Sequence, residues 1–327
     1  MKTLFEEPLW PEKPLEMQRA DSRSGLMAFK GVNSDLQCRT FQFSVGPLHR
    51  HGTPDVAVSI GGFHSCIKPL DVLRFYPPGM SRYFLVQPSG QIALGACGIE
   101  QASECIRLLR EFTLSQWVDT ALRSTLDAAA ARTITAQEHY SVASCEQDFS
   151  AALNSGHCSL TANVGDYAAA CNDGHRGVAS STGDQSVVFS RGHHALAANT
   201  GNRSVAAAQG PQSLAGNSGH HGIAQVAGEA SIASNTGSRA LALCLGPRSI
   251  AVTTADHSQA CADLQGSIAL ADGRAVKAKA AAGAAIILVH RGAHDELIHI
   301  RCGVAGKDLK ADVWYGLGAD GEFIEIF

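Results

Sequence analysis

A glycine returns every nine residues from Gly156 to Gly246, opening eleven successive rows of the chain. The stretch "GNRSVAAAQGPQSLAGNSG", residues 201–219, shows the pattern. After each glycine the fourth position is Ser, Ala or Gly, the fifth is almost always aliphatic (Leu196, Val205, Leu214, Ile223, Ile232) and the sixth is usually Ala. Fixed self-similarity of this length is the mark of stacked structural units, each too small to bury its apolar side alone. A short alternating stretch between turns predicts a strand. The glycine is expected at a corner with positive φ, where a Cβ costs about 1–2 kcal/mol.

Nine residues are too few for a closed coil, and a longer period is visible. Asn199, Asn217 and Asn235 are eighteen apart, while the rows between them end differently. Two rows therefore make one coil, with two short parallel strands facing each other. The prediction is a parallel β-roll from about Ser155 to Ala281, with coils stacked at about 4.8 Å and about seven coils giving a rod of roughly 35 Å. The fifth-position aliphatics are expected inside, with the asparagines laddered at one corner. The rival assignment turns the aliphatic stripe outward, where it would form an oligomer interface. A rod with flat faces and few charges points to a homo-oligomer, a dimer, in which Ala197, Ala206, Ala215, Ala224 and Ala233 let two sheets approach closely.

Several function classes are excluded by what the repeat lacks. A calcium-binding nonapeptide roll needs aspartates recurring at one position, whereas Asp166, Asp173, Asp184, Glu229, Asp256, Asp263 and Asp272 are scattered. Residues 156–281 carry eight Lys or Arg against seven Asp or Glu, so the rod is neither a basic groove nor an acidic mimic and nucleic acid is not an expected partner. His157, His175 and His193 are eighteen apart and should stack as a solvated ladder, not as a metal site. No stretch is long and apolar enough to span a bilayer, and the start does not read as a signal peptide. The ten cysteines show no CxxC pairing and read as reduced thiols of a cytoplasmic protein. No cofactor is expected, and a protein partner is the class left open.

The flanks divide the chain into an N-terminal arm (1–25), a small α+β domain (26–96), a helical linker or cap (97–150), the β-solenoid (151–283) and a C-terminal β cap (284–327). Thr113 to Gln116 is a capping box ahead of an amphipathic helix, and Ile99 to Phe112 reads as a second helix capping the same end. The segments "AIILVHR", "ELIHIRCGVAG", "ADVWYGL" and "EFIEIF" read as the strands of the other cap.

Between residues 26 and 95 stand Phe29-Lys30, Cys38-Arg39, Phe41-Gln42-Phe43, Gly62-Phe63-His64, Cys66, Pro69-Leu70-Asp71-Val72 and Tyr76-Pro77-Pro78. This set resembles a domain of unknown function found in phage and bacterial proteins, which often continue into Gly-rich nonapeptide repeats and a strand-rich tail. It implies an architecture and no activity. The chain departs from that family at Thr40, where Gly is usual, and in its longer arm. The same segment is also similar in layout to an ADP-ribosyltransferase core, a strand leading through a helix into a long strand. That resemblance implies Arg39 and His64 on the nicotinamide ribose and Tyr76 stacked on the nicotinamide. The late acidic residue of that layout is replaced by Gln87 and Gln91. Against any site, Arg39 could pair with Asp35 or Asp71, with His64 a satisfied core residue. His49, His51, His64 and Cys66 match no zinc-site spacing. The reading is a non-enzymatic scaffold in which the solenoid presents or oligomerises a recognition domain. An ADP-ribosyltransferase-like enzyme or NAD-binding module is the alternative.

Overall fold

A computed structural model describes residues 26–52, 56–58, 61–95 and 98–326; the arm at 1–25 lies outside the described residues. From Thr133 onward the chain winds as a parallel β-solenoid, with nine parallel strands in each of two facing sheets and therefore nine coils. Register is eighteen residues, as in Leu196↔Leu214↔Ile232, up to the last coil, where Ile268↔Ala285 makes it seventeen, and Asn199, Asn217 and Asn235 stand in one column. The ladder begins three rows before Gly156, at Thr133–Ala136 followed by Val142–Cys145, and it ends with Lys277–Ala280 and Ala285–Arg291.

The interior is made of small residues, not of the fifth-position aliphatics expected there. Sixth-position alanines from both sheets, such as Ala179, Ala197, Ala206, Ala215, Ala224, Ala233 and Ala242, are fully buried against one another. Alanine fills most of the space between the sheets, with Val188 and Val226 enclosed among them and Ile286 and Leu288 near the C-terminal cap, while the fifth-position aliphatics turn outward. The alanines expected to face a second copy are therefore inside. The outward aliphatics meet different fates on the two sheets. On the eleven-stranded sheet Val187, Val205, Ile223 and Leu241 are 0% exposed, because the rest of the chain covers them. On the ten-stranded sheet Leu160, Leu214 and Ile232 remain 38%, 39% and 42% exposed.

The corner chemistry also differs from expectation. The positive φ falls on the third residue of each row, between 52° and 57° from Cys158 to His257, and not on the glycine. That residue's N–H points along the rod and bonds a carbonyl of the next coil, as in Arg203 N to His220 O at 2.8 Å. The glycine is required by stacking: a Cβ on Gly174 would lie 1.8 Å from the carbonyl oxygen of Gly156, and one on Gly210 1.9 Å from that of Gly192. Buried asparagines close the corners. Oδ1 of Asn154, Asn163, Asn172, Asn199, Asn217 and Asn235 accepts the N–H of the glycine two residues on, at 2.8–3.0 Å. Their Nδ2 groups donate to backbone carbonyls thirteen residues back. Every buried amide dipole at this corner is thus satisfied.

The N-terminal domain is β-rich, with the four-residue helix α1 (Pro69–Val72) its sole helix among the described residues. The strands Leu48–Arg50, Phe63–Cys66, Ala28–Asn33, Ser81–Leu94 and Glu100–Phe112 form one antiparallel sheet. The stretch expected as a second helix is this last strand. It pairs with Ser81–Leu94 along one edge and with Phe63–Cys66 and Leu48–Arg50 along the other, closing the sheet on itself. Two register shifts in the long hairpin supply the bend that closure needs. Hydrogen bonds on both edges override the local helical spacing.

Helix α2 (Leu114–Ala129) starts at the expected capping box, Thr113 with Gln116. It lies along the face of the eleven-stranded sheet and does not cap the rod's end, packing beside Ala169–Asn172, Val187–Ser190 and Val205–Ala208. The C-terminal cap is antiparallel strand structure: Leu297–Val304 covers Ala285–Arg291, while Trp314–Leu317 and Phe323–Ile326 close the other sheet.

Candidate functional site

The residues singled out in the N-terminal domain gather around Lys30. Its strand, Ala28–Asn33, is central in the closed sheet, and its side chain is 3% exposed. Nζ donates to the carbonyl of His64 at 2.8 Å and faces the ring of Phe43 at 5.1 Å. No described carboxylate pairs with it, and burial lowers its pKa, against opposing effects of Cys38 and Cys66. In the sequence Lys30 stands in the Phe29-Lys30 pair. Its signal was available: a lysine among apolar residues on a predicted strand.

His64 sits half-buried on the neighbouring strand, and burial and then the Lys30 charge lower its pKa. Arg39 is exposed, in the left-handed turn between Gln37–Cys38 and Phe41–Gln42 (φ 54°). It is near enough for its charge to act on Lys30, His64 and Tyr76. Tyr76 follows α1, and its ring lies where a Cβ on Gly31 would be, 2.3 Å from Cγ. Its hydroxyl is 2.7 Å from Cys38 Sγ. Burial raises the Tyr76 pKa and pushes the Cys66 thiol up to about 12. The structure thus brings Arg39, His64 and Tyr76 to one neighbourhood, with Tyr76 packed into the fold and engaged by Cys38. Its ring does not stand free over a cleft. His49 spends Nε2 on Ser44 and stacks edge-on to Phe41 and Phe43. Among the described residues no group of three or more His, Cys, Asp or Glu is placed to hold a metal ion.

Arg39 forms no pair with Asp71, because Asp71 faces the rod. This carboxylate is 1% exposed and accepts from Tyr167 Oη at 3.0 Å and from Gln185 Nε2. Burial raises its pKa, and these hydrogen bonds partly offset the shift. Beside it Lys68 Nζ lies 4.1 and 4.0 Å from the rings of Phe149 and Tyr167, themselves stacked from successive coils. His221 Nδ1 is 2.7 Å from the Leu73 carbonyl, and Gly79 (φ 78°) approaches Gln259 so closely that a Cβ would overlap it. Between Lys68, Leu70, Thr125 and Tyr167 is a crevice with room for about one water. A single apolar cluster runs from Phe29, Leu70, Leu73 and Trp117 into Val187, Val205 and Ile223 of the rod. These contacts weld the domain to one face of the solenoid.

The histidine column has four members. His139, which the sequence reading did not include, stacks on His157 at 4.9 Å; His157 stacks on His175 at 4.8 Å, and His193 follows at 4.9 Å. Nδ1 of each accepts the N–H of the next, at 3.1, 3.1 and 3.2 Å. Asp148, Asp166 and Asp184 do the same in the neighbouring column. The column ends where Pro211, eighteen residues after His193, has no N–H to offer. These imidazoles hold the corner together, and the Nδ1 atoms of His139, His157 and His175 are occupied in doing so.

No helix among the described residues is long and apolar enough to cross a membrane. No curated protein and no solved structure matches the chain. Residues 26–120, which take in the closed sheet, α1 and the start of α2, match the model of a family described as a domain of unknown function (DUF7666), and this part of the chain is similar to that uncharacterised family.

Proposed function

We propose that the protein is a non-enzymatic interaction and scaffold protein, a rigid β-rod that carries its N-terminal domain on one face and pairs with a second copy through the other. The observation that carries this reading is the outward column of the ten-stranded sheet. Val142, Leu160, Val178, Leu196, Leu214, Ile232, Ile250 and Ile268 follow one another in register. Beside them Ala162, Ser180, Ala198, Gly216 and Ser234 keep the surface flat. The equivalent column on the opposite sheet is buried by the chain itself from Ala151 to Gln259. The eight strands of this column, taken at four residues each, outline roughly 500 Å² of uncharged sheet, more than half of the ~800 Å² per partner that a stable interface buries. Free thiols support a cytoplasmic setting, and the resemblance to phage and bacterial proteins supports a mobile-element origin.

Light scattering at micromolar concentration is expected to give a dimer, and Leu214→Glu with Ile232→Glu a folded species of half that assembly. An unchanged mass in the variant removes the sheet face as the contact. Calorimetric titration of NAD is expected to give no heat at millimolar concentration. Heat that disappears in Arg39→Ala would replace this reading with the NAD-binding one.

A further inference from the structure

The two ends of the rod are built differently. At the C-terminal end antiparallel strands extend both sheets, and the terminal strands Leu297–Val304 and Phe323–Ile326 carry charged side chains, Arg301 paired with Glu322 and Glu325 paired with Lys310 at 2.8 Å. At the N-terminal end the edge strands Thr133–Ala136 and Val142–Cys145 terminate the two sheets, and no described residue pairs with their outer edges. In later coils Ser155 N, Leu160 N and Val164 N donate down the rod to Ala136, Ser141 and Cys145. The equivalent N–H groups of the first coil, at Gln137, Val142 and Glu146, therefore point off the end, and none donates to a described residue. Sheet edges are normally blunted by Lys, Pro, a bulge or a covering element. "TITA" and "VASC" have none of the first three. Ile134, Tyr140 and Val142 around them are 46%, 81% and 61% exposed.

We infer that this open end pairs with the same end of a second copy, so that each sheet continues across a two-fold axis into an antiparallel strand. The second copy is favoured over a head-to-tail stack because the edge strands at the opposite end carry the charged Arg301 and Glu325, which blunt edge pairing, and a same-end contact terminates at two rods. It is favoured over this chain's own residues 1–25 because Pro8, Pro11 and Pro14 recur too closely there for a ladder strand. The contact is separate from the outer sheet face, and its area is small, so association is expected only at tens of micromolar, above the concentration at which the sheet face pairs.

The test starts from full-length protein carrying Leu214→Glu and Ile232→Glu, which removes the sheet-face contact. At tens of micromolar this protein is expected to scatter as a dimer, with slowed hydrogen exchange at Gln137, Val142 and Glu146. Adding Val142→Pro, which deletes an N–H that the protomer does not use, or Ser144→Lys, which sets like charges across the axis, should halve the mass. Circular dichroism identifies any variant that has unfolded. A monomer with fast exchange at those three amides overturns end pairing and leaves the sheet-face reading standing. Slow exchange in a monomer that becomes fast on deleting residues 1–25 also overturns it, because the arm would then be the occupant.

Discussion

Glycine and the left-handed residue have exchanged the roles that sequence pattern suggests for them. The row glycines are held by the carbonyl of the coil beneath and not by φ, so their replacement is a packing collision between backbones. Gly210→Ala is expected to lower stability by roughly 3 kcal/mol or more, the severe end of overpacking, measurable as a fall in the thermal midpoint. The positive φ belongs to residues such as Ala230 (φ 52°), where a Cβ is strained and nothing is gained. Ala230→Gly should therefore raise the midpoint, by up to about 1 kcal/mol after the larger unfolded-state entropy of glycine is counted. If both changes destabilise alike, the distinction drawn between stacking and φ is wrong. Lys30 and Asp71 were also quoted in sequence, but burial of an amine without a carboxylate, and of a carboxylate against a tyrosine, is a property of their neighbours.

Among elements, α1 and α2 decide how domain and rod are joined. Asp71 enters the seam with its pKa raised by burial above the ordinary 3.8. The folded state therefore holds its proton more tightly than the unfolded chain does. Stability from this group is fully present below pH 3.8 and is lost as pH rises through the folded value. Asp71→Asn keeps an acceptor for Tyr167 and removes the charge, so it should flatten that acid-side slope and leave the midpoint at pH 7 equal or higher. Asp71→Ala orphans the Gln185 and Tyr167 donors and should cost about 1–3 kcal/mol. Denaturant titrations of the two variants from pH 3 to 7 separate the cases. His221 acts in the opposite sense: burial lowers its pKa below 6.5, so its contribution is lost as pH falls through that region.

The whole molecule is a rod with one clothed face and one bare one. The same outward aliphatic column is a core on the eleven-stranded sheet, where Trp117, Leu73 and Phe29 reach it, and a surface on the ten-stranded sheet. This asymmetry predicts that Val205→Ala, in the clothed column, costs about 1–3 kcal/mol, while Leu214→Ala in the bare column changes the monomer's midpoint by less than about 1 kcal/mol and weakens the dimer. Thermal melts paired with light scattering read both.

The nine-residue glycine row, the eighteen-residue asparagine period and the Thr113 capping box determined the solenoid, its coil length and α2 without any coordinates, because each is set by contacts that repeat along the chain or lie within one turn. Inside and outside were not determined that way. An alternating Leu-Ala strand reads identically with either face inward, and only the pairing of two real sheets, which encloses Ala197 and Ala206 and turns Leu196 and Val205 outward, chose between them. The strand at Glu100–Phe112 was equally undecidable, since its helical spacing yielded to hydrogen bonds from partners as far back as Leu48. The gathering of Arg39, His64 and Tyr76 about Lys30, and the turning of Asp71 toward Tyr167 and Gln185, belong to the tertiary structure alone. Closure of a sheet and docking of a domain bring together pairs such as Lys30 and His64, 34 positions apart, and Asp71 and Gln185, 114 apart, and no local pattern encodes that distance.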